Sequence, residues 1–161
     1  MTDATAAPAR SRRKGRFTIR TAAALFLFSA VTELLSIHSP APIVGGVRQG
    51  VPAMAYHILY AGMFAVVGYA LWVPRRWALR AVVAVGVVYT LDRGLLLLDT
   101  DTLLGYLRAQ LAPVAGLGAA PPAADLLGLV RLALGLFIVG WWGFVAYLFV
   151  RRDYFVAAAS Q

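Results

Sequence analysis

The chain has no cysteine. That absence excludes structural disulfides, thiolate metal sites and the paired-thiol, quinone-linked redox chemistry of one class of small four-helix membrane enzymes. Charge is scarce as well: 14% of the 161 residues are Asp, Glu, Lys or Arg, and only seven residues are acidic. With 61% hydrophobic residues and a mean hydropathy of +0.75, a soluble fold of this length could not hide its apolar surface. No internal repeat is present, which removes the usual sign of an inverted-repeat transporter. Asp, Glu, His, Lys and Arg are also missing from stretches 22–28, 66–71, 81–88 and 137–149, the inner halves of the apolar runs. A channel or proton wire needs polar groups through its whole depth, so a pore within one protomer is disfavoured.

What remains is a succession of long apolar runs. Residues 1–18 form a polar, basic segment that cannot pack a core and is expected to be a disordered tail. Spans are predicted at about 21–39, 53–73, 77–98 and 126–150, each long enough to cross roughly 30 Å of hydrocarbon at about 1.5 Å per residue. Pro40 and Pro42 beside the small residues Ser39 and Ala41, together with Glu33 inside the first run, argue against a cleaved signal peptide. The first connection, 40–52, is rich in proline and glycine and reads as a turn-rich crossing. In the third, Leu103, Leu104, Leu107 and Leu111 share a face opposite Arg108 and Gln110, which predicts a short interfacial helix over Asp101–Leu111, N-capped by Asp101 or Thr102. The stretch 113–122 reads as a flexible link, and 153–161 as a C-terminal tail.

The net charge of +8 and pI near 10.6 would suggest nucleic acid in a soluble protein, but here the basic residues flank apolar runs. They are read as topology signals and contacts to anionic head groups, with no nucleic-acid partner. Eleven Lys and Arg lie before the first run, between the second and third, and after the fourth, against Arg48 and Arg108 in the opposite loops. The expected fold is therefore an all-α integral membrane protein, an antiparallel four-helix transmembrane bundle with both termini cytoplasmic.

Glu33, His57, Asp92, Arg93 and Arg131 fall inside the spans at about the same depth, on the order of 6 to 10 Å from the outer surface. Each shares a helical face with small residues, such as Ser29 and Ala30 for Glu33, or Gly128 and Gly135 for Arg131, so all five are expected to face inward. Burying them separately is costly, and two acids with two arginines sum to zero. The expected pairing is Glu33 with Arg131 or Arg93, and Asp92 with His57 or the other arginine. Asp92 and Arg93 point about 100° apart and should find partners on other helices. Tyr60 and Tyr89 are left over as further lining residues.

Three uses of this layer are open: ion pairs that fix register, an outward-facing polar pocket for a small or lipid-like ligand, and catalysis with His57 as the proton-transfer group. Haem between His38 and His57, and copper at Met54, His57 and Met63, are weaker readings, and no cofactor or metal is expected. The reading adopted is a non-enzymatic, multi-pass protein of a bacterial-type inner membrane that binds such a ligand. The alternatives are an accessory subunit of a larger membrane complex, or a redox enzyme using quinone or haem. Partners beyond the bilayer would be a lipid or small hydrophobic ligand, a membrane protein, or a second copy of the chain. In size, span number, inferred topology and the histidine near the start of the second span, the chain resembles several families of small bacterial membrane proteins, the broad DoxX-like group among them. That likeness is architectural and implies no residue role.

Overall fold

The computed structural model describes residues 15–73, 75, 77–115 and 122–157. The chain is mostly helical, with α1 at Arg16–Leu35, α2 at Val51–Trp72, α3 at Ala78–Leu98, α4 at Thr100–Ala115, α5 at Ala123–Val150 and α6 at Asp153–Ala157. Strands β1 (Ala41–Ile43) and β2 (Gly46–Arg48) lie between α1 and α2. Helices α1, α2, α3 and α5 are long and apolar enough to cross a membrane.

Several local expectations change. Helix α1 begins at Arg16, inside the segment expected to be a tail, where Gly15 takes φ 92° and breaks the chain direction. It also ends at Leu35, four residues early, in overlapping turns from Ser36 to Ser39. The crossing at 40–52 is not irregular. Ala41 pairs with Arg48 and Ile43 with Gly46 in a short antiparallel hairpin, so the chain is not purely helical. Gly45, at φ 83°, supplies the left-handed turn position that the two-residue loop requires. Helix α4 starts at Thr100, before either expected cap, and runs on through Pro113. Its cap is Asp99, whose carboxylate accepts from the Thr102 amide at 3.0 Å and the Thr102 hydroxyl at 2.6 Å. Residues 153–157 of the expected C-terminal tail form α6. Residues 1–14, Pro74, Arg76, 116–121 and 158–161 lie outside the described residues, and with them most of the expected tail, the tips of the basic turn and most of the flexible link.

Small residues decide where helices approach. On α2, a side chain at Gly68 would meet Leu27 Cγ at 2.7 Å and the Ala23 carbonyl at 3.1 Å, so α1 lies close against α2 there. On α3, Gly86 leaves the space filled by the Trp141 indole of α5. The buried cluster joins Ile19 and Ala23 of α1, Val67 and Leu71 of α2, Val82 and Val85 of α3, and Val145 and Leu148 of α5. Phe155 of α6 belongs to this cluster and is almost fully buried. Helix α4 and the hairpin cover the opposite end of the helices. Helix α1 runs along α2, α2 packs on α3, and α3 on α5. Between α1 and α5 the contact is made by side chains, with the Phe26 ring 5.2 Å from Trp141 and 6.1 Å from Phe144.

Candidate functional site

The ionisable residues gather at the hairpin end, but in three groups. The first joins the last turn of α1 to the second turn of α2: His57 Nδ1 lies 2.7 Å from Glu33 Oε2, and His57 Nε2 lies 3.2 Å from the Ser39 carbonyl. Both neighbours are acceptors. The arrangement is satisfied when the pair holds one proton between carboxylate and ring beyond the one donated to Ser39, so the pair is neutral as a unit. His57 is buried and Glu33 is 20% exposed.

The second group is built on Asp92. Its Oδ2 accepts from the Tyr56 hydroxyl at 2.8 Å and from the Tyr60 hydroxyl, while Arg93 Nε lies 3.6 Å away. The Arg93 guanidinium sits over three tyrosine rings, 5.1 Å from Tyr60, 5.6 Å from Tyr89 and 6.0 Å from Tyr56. A desolvated cation gains up to about 2 kcal/mol over one aromatic face, so this box replaces much of the hydration that Arg93 gives up. The expectation that Asp92 and Arg93 would look to other helices is half met. Asp92 does accept from α2, but Arg93 folds back along its own helix because its long side chain spans the angle between them.

Arg131 forms the third group alone. Its Nη2 donates to the Thr100 hydroxyl at the start of α4, and its buried Nε has no partner among the described residues. Neither arginine expected to pair with Glu33 does so: Arg131 goes to Thr100 and Arg93 lies beside Asp92, while Glu33 takes His57. Gly128 and Gly135 beside Arg131 have open space where a side chain would go, and so does Gly94 beside Arg93, so these small residues line no helix contact.

The polar layer is closed over. The space at Asp92, bounded by Pro42, Val44, Leu96, Asp99 and Thr102, amounts to about 10 Å³, too little for a ligand. Tyr106 of α4 lies near this layer, and burial pushes its hydroxyl above the usual tyrosine range against the opposing charge of Arg93.

A larger space lies deeper, between α1 and α5. It is about 390 Å³, within the range of small-molecule sites, and opens to the side of the protein. Leu25, Phe26 and Ser29 of α1 form one wall, and Leu136, Phe137 and Gly140 of α5 the other. Phe64, Tyr89 and Trp141 close its back, with Tyr89 and Trp141 stacked at 5.2 Å. Of the sequence-predicted site residues only Tyr89 lines this cleft.

Sequence reasoning missed Tyr56, Thr100 and the cleft residues Phe26 and Gly140. Tyr56 had a legible signal, since it stands one residue before His57 and one turn before Tyr60. Phe26 and Gly140 carry none, because a phenylalanine or a glycine in an apolar helix is ordinary. Among the described residues no group of three or more His, Cys, Asp or Glu is placed to hold a metal ion. The chain matches no family model, and neither the curated proteins nor the solved structures give a significant match.

Proposed function

We propose that the protein is a multi-pass protein of a bacterial-type inner membrane, with both termini cytoplasmic, which binds a lipid-like ligand without transforming it. The observation that carries the reading is the cleft between α1 and α5: apolar, partly aromatic, of ligand size and open on the side that would face acyl chains. Its surroundings support the same view. Leu25, Phe137 and Leu136 are more than half exposed, as residues bathed in hydrocarbon would be. The site is thereby moved from the polar layer, where the sequence suggests it, into the apolar space below. The ion pairs of Glu33, His57, Asp92 and Arg93 then fix the offset of α1, α2 and α3 and hold the cleft's upper edge in place.

The test is recovery of a bound lipid. Protein extracted in mild detergent is analysed by mass spectrometry beside Gly140→Leu. A Cβ added at Gly140 meets nothing within 4 Å, so a side chain there has room to start into the cleft. A lipid enriched on the wild type and lost from the variant supports the proposal. Equal lipid content in the two overturns it.

An accessory-subunit role is favoured by a different observation. Gly128 and Gly135 open onto a face of α5 whose Leu132 and Val139 are 61% and 70% exposed, a surface on which another helix could lie. Gly128→Leu with Gly135→Leu should then release a co-purifying subunit or second copy while leaving the monomer folded. A preparation with no such companion removes this reading.

A further inference from the structure

Arg93 and Arg131 both sit in long apolar helices, yet only Arg93 is compensated. Arg93 has Asp92 at 3.6 Å and three tyrosine rings against it. Arg131 forms no ion pair and meets no aromatic face among the described residues. Its one bond runs from Nη2 to the Thr100 hydroxyl; Nε is buried without a partner, and Nη1 makes no hydrogen bond among the described residues. The acids of the neighbouring segments do not supply the missing charge. Asp99 is taken up by Thr102, and Asp101 and Asp125 form no ion pair among the described residues. A cation in an apolar helix without a counter-charge is costly, so α5 carries an unmet requirement for an anion.

The surroundings point to where that anion comes from. Thr100 opens α4, the helix that covers the hairpin end of the long helices, so the bond to Thr100 holds the guanidinium at the level where head groups lie in the membrane arrangement proposed above. Gly128 and Gly135, one turn to either side of Arg131, have open space, and Leu129 and Leu132 are 64% and 61% exposed. Arg131 itself is only half-buried. This face is therefore reached from the side of the protein, and it lies about two and a half turns from Gly140, on the opposite face of α5 from the cleft. We infer that Arg131 binds the phosphate of an anionic phospholipid at the hairpin end of α5, at a site separate from the cleft. A guanidinium presents its donors as a planar fork that a phosphate meets with two oxygens, and phosphate is the anion that a bilayer supplies at this level. A zwitterionic head carries the same phosphate with a cation of its own, which offsets the attraction, so a net negative head is preferred.

A label can be placed on this face alone. Because the chain has no cysteine, Leu132→Cys carries the only thiol, beside Arg131 on an exposed part of α5. A bimane coupled there is followed in the full-length protein, in phosphatidylcholine nanodiscs, as doxyl-labelled phosphatidylglycerol or doxyl-labelled phosphatidylcholine is added. Phosphatidylglycerol should quench saturably and at about tenfold lower membrane fraction than phosphatidylcholine, the factor that one charge-assisted hydrogen bond contributes. Arg131→Gln should bring the two probes together. So should Gly128→Leu, which keeps the arginine and fills the open face one turn away, and either variant carries the test if the other fails to fold. Gly140→Leu, in the cleft, should leave the preference unchanged, as should an excess of inorganic phosphate. Equal quenching by both probes in the wild type, or a preference that survives Arg131→Gln, would overturn the site. A preference lost in Gly140→Leu would trace the effect to the cleft and overturn it as well. Loss of the preference in inorganic phosphate would show a free anion in place of a lipid, and a label shielded from both probes by a co-purifying chain would give the face to a protein partner; each of these also overturns the lipid site.

Discussion

The bond between Glu33 and His57 joins two helices through groups that lipid cannot satisfy, so losing one partner costs more than the bond itself is worth. His57→Phe leaves the Glu33 carboxyl without its donor and should lower stability by roughly 3 to 5 kcal/mol, the usual cost of breaking a buried pair from one side. Removing both partners in Glu33→Leu with His57→Phe should recover most of that loss. Reversible unfolding in mixed micelles measures each, and a double variant no more stable than His57→Phe would show that the pair is not the coupled unit described. Asp99 acts outside the apolar helices. Its bonds to the Thr102 hydroxyl and amide hold its carboxyl below the ordinary value of 3.8. A depressed folded value means that the capping contribution is fully present above the unfolded value and fades as pH falls through the folded one. Amide exchange at Thr102 and Leu103 should accordingly speed up, relative to the middle of α4, below about pH 4 and in Asp99→Ala at neutral pH. At this scale the sequence is informative about depth and poor on partners. Position along a helix gives depth directly, so the gathering of Glu33, His57, Asp92 and Arg93 at one end is legible. Who bonds whom depends on the offset and rotation of neighbouring helices and on the reach of each side chain, which is why Arg131 goes to Thr100 and not to Glu33.

Among the helices, glycines that look alike in the sequence divide into two kinds. Gly68 and Gly86 are sites of close approach. An added Cβ would lie 2.7 Å from Leu27 Cγ at the first and would overlap Trp141 Nε1 at the second. Gly94, Gly128 and Gly135 have open space there. Gly86→Ala should therefore push the indole off α3 and cost about 1 to 3 kcal/mol, the range for overpacking a filled site. Alanine at Gly128 or Gly135 should be neutral or slightly stabilising through its better helix propensity, by up to about 1 kcal/mol. The same unfolding measurement ranks the three, and a cost at Gly128 as large as at Gly86 would contradict the packing described. The face argument from sequence fails at these elements for a physical reason. Lipid tails are as apolar as the side chains they meet, so the period of apolar residues does not distinguish a face turned to a neighbour from one turned outward. The four long helices are legible because length and apolarity alone define them. The hairpin is not, because three-residue strands with a proline in one of them carry almost no alternation.

The molecule as a whole has two unlike ends, and the proposed orientation rests on which end carries the charge. At one end, Gly15 before α1 stands against Tyr147 of α5 and Arg151 just after it, while Arg20 stacks on Trp72 at 5.6 Å. The first and last long helices thus bring their chain-terminal ends together, beside the basic residues Arg75, Arg80 and Arg152. At the other end the hairpin and α4 carry Arg48 and Arg108, and Asp99 and Asp101 lie at the start of α4. An excess of Lys and Arg in short loops is retained on the cytoplasmic side, because moving each such charge across the membrane opposes both the bilayer's low polarity and the membrane potential. On the proposed reading, the eleven-to-two distribution puts the basic end inside and the hairpin outside. Reporter fusions after Gly46 and Gly118 should give an outside signal, and fusions after Arg76 and at Gln161 a cytoplasmic one. The contact of Gly15 with Tyr147 and Arg151 adds a constraint that charge counting lacks, since it requires both termini on one side whichever side that is. A fusion at Gln161 reporting the outside while the start of α1 remains cytoplasmic would break that contact and overturn the four-span arrangement. Reversal of all four signals together would preserve the packing and overturn only the orientation, and with it the assignment of the ionic layer to the outer leaflet.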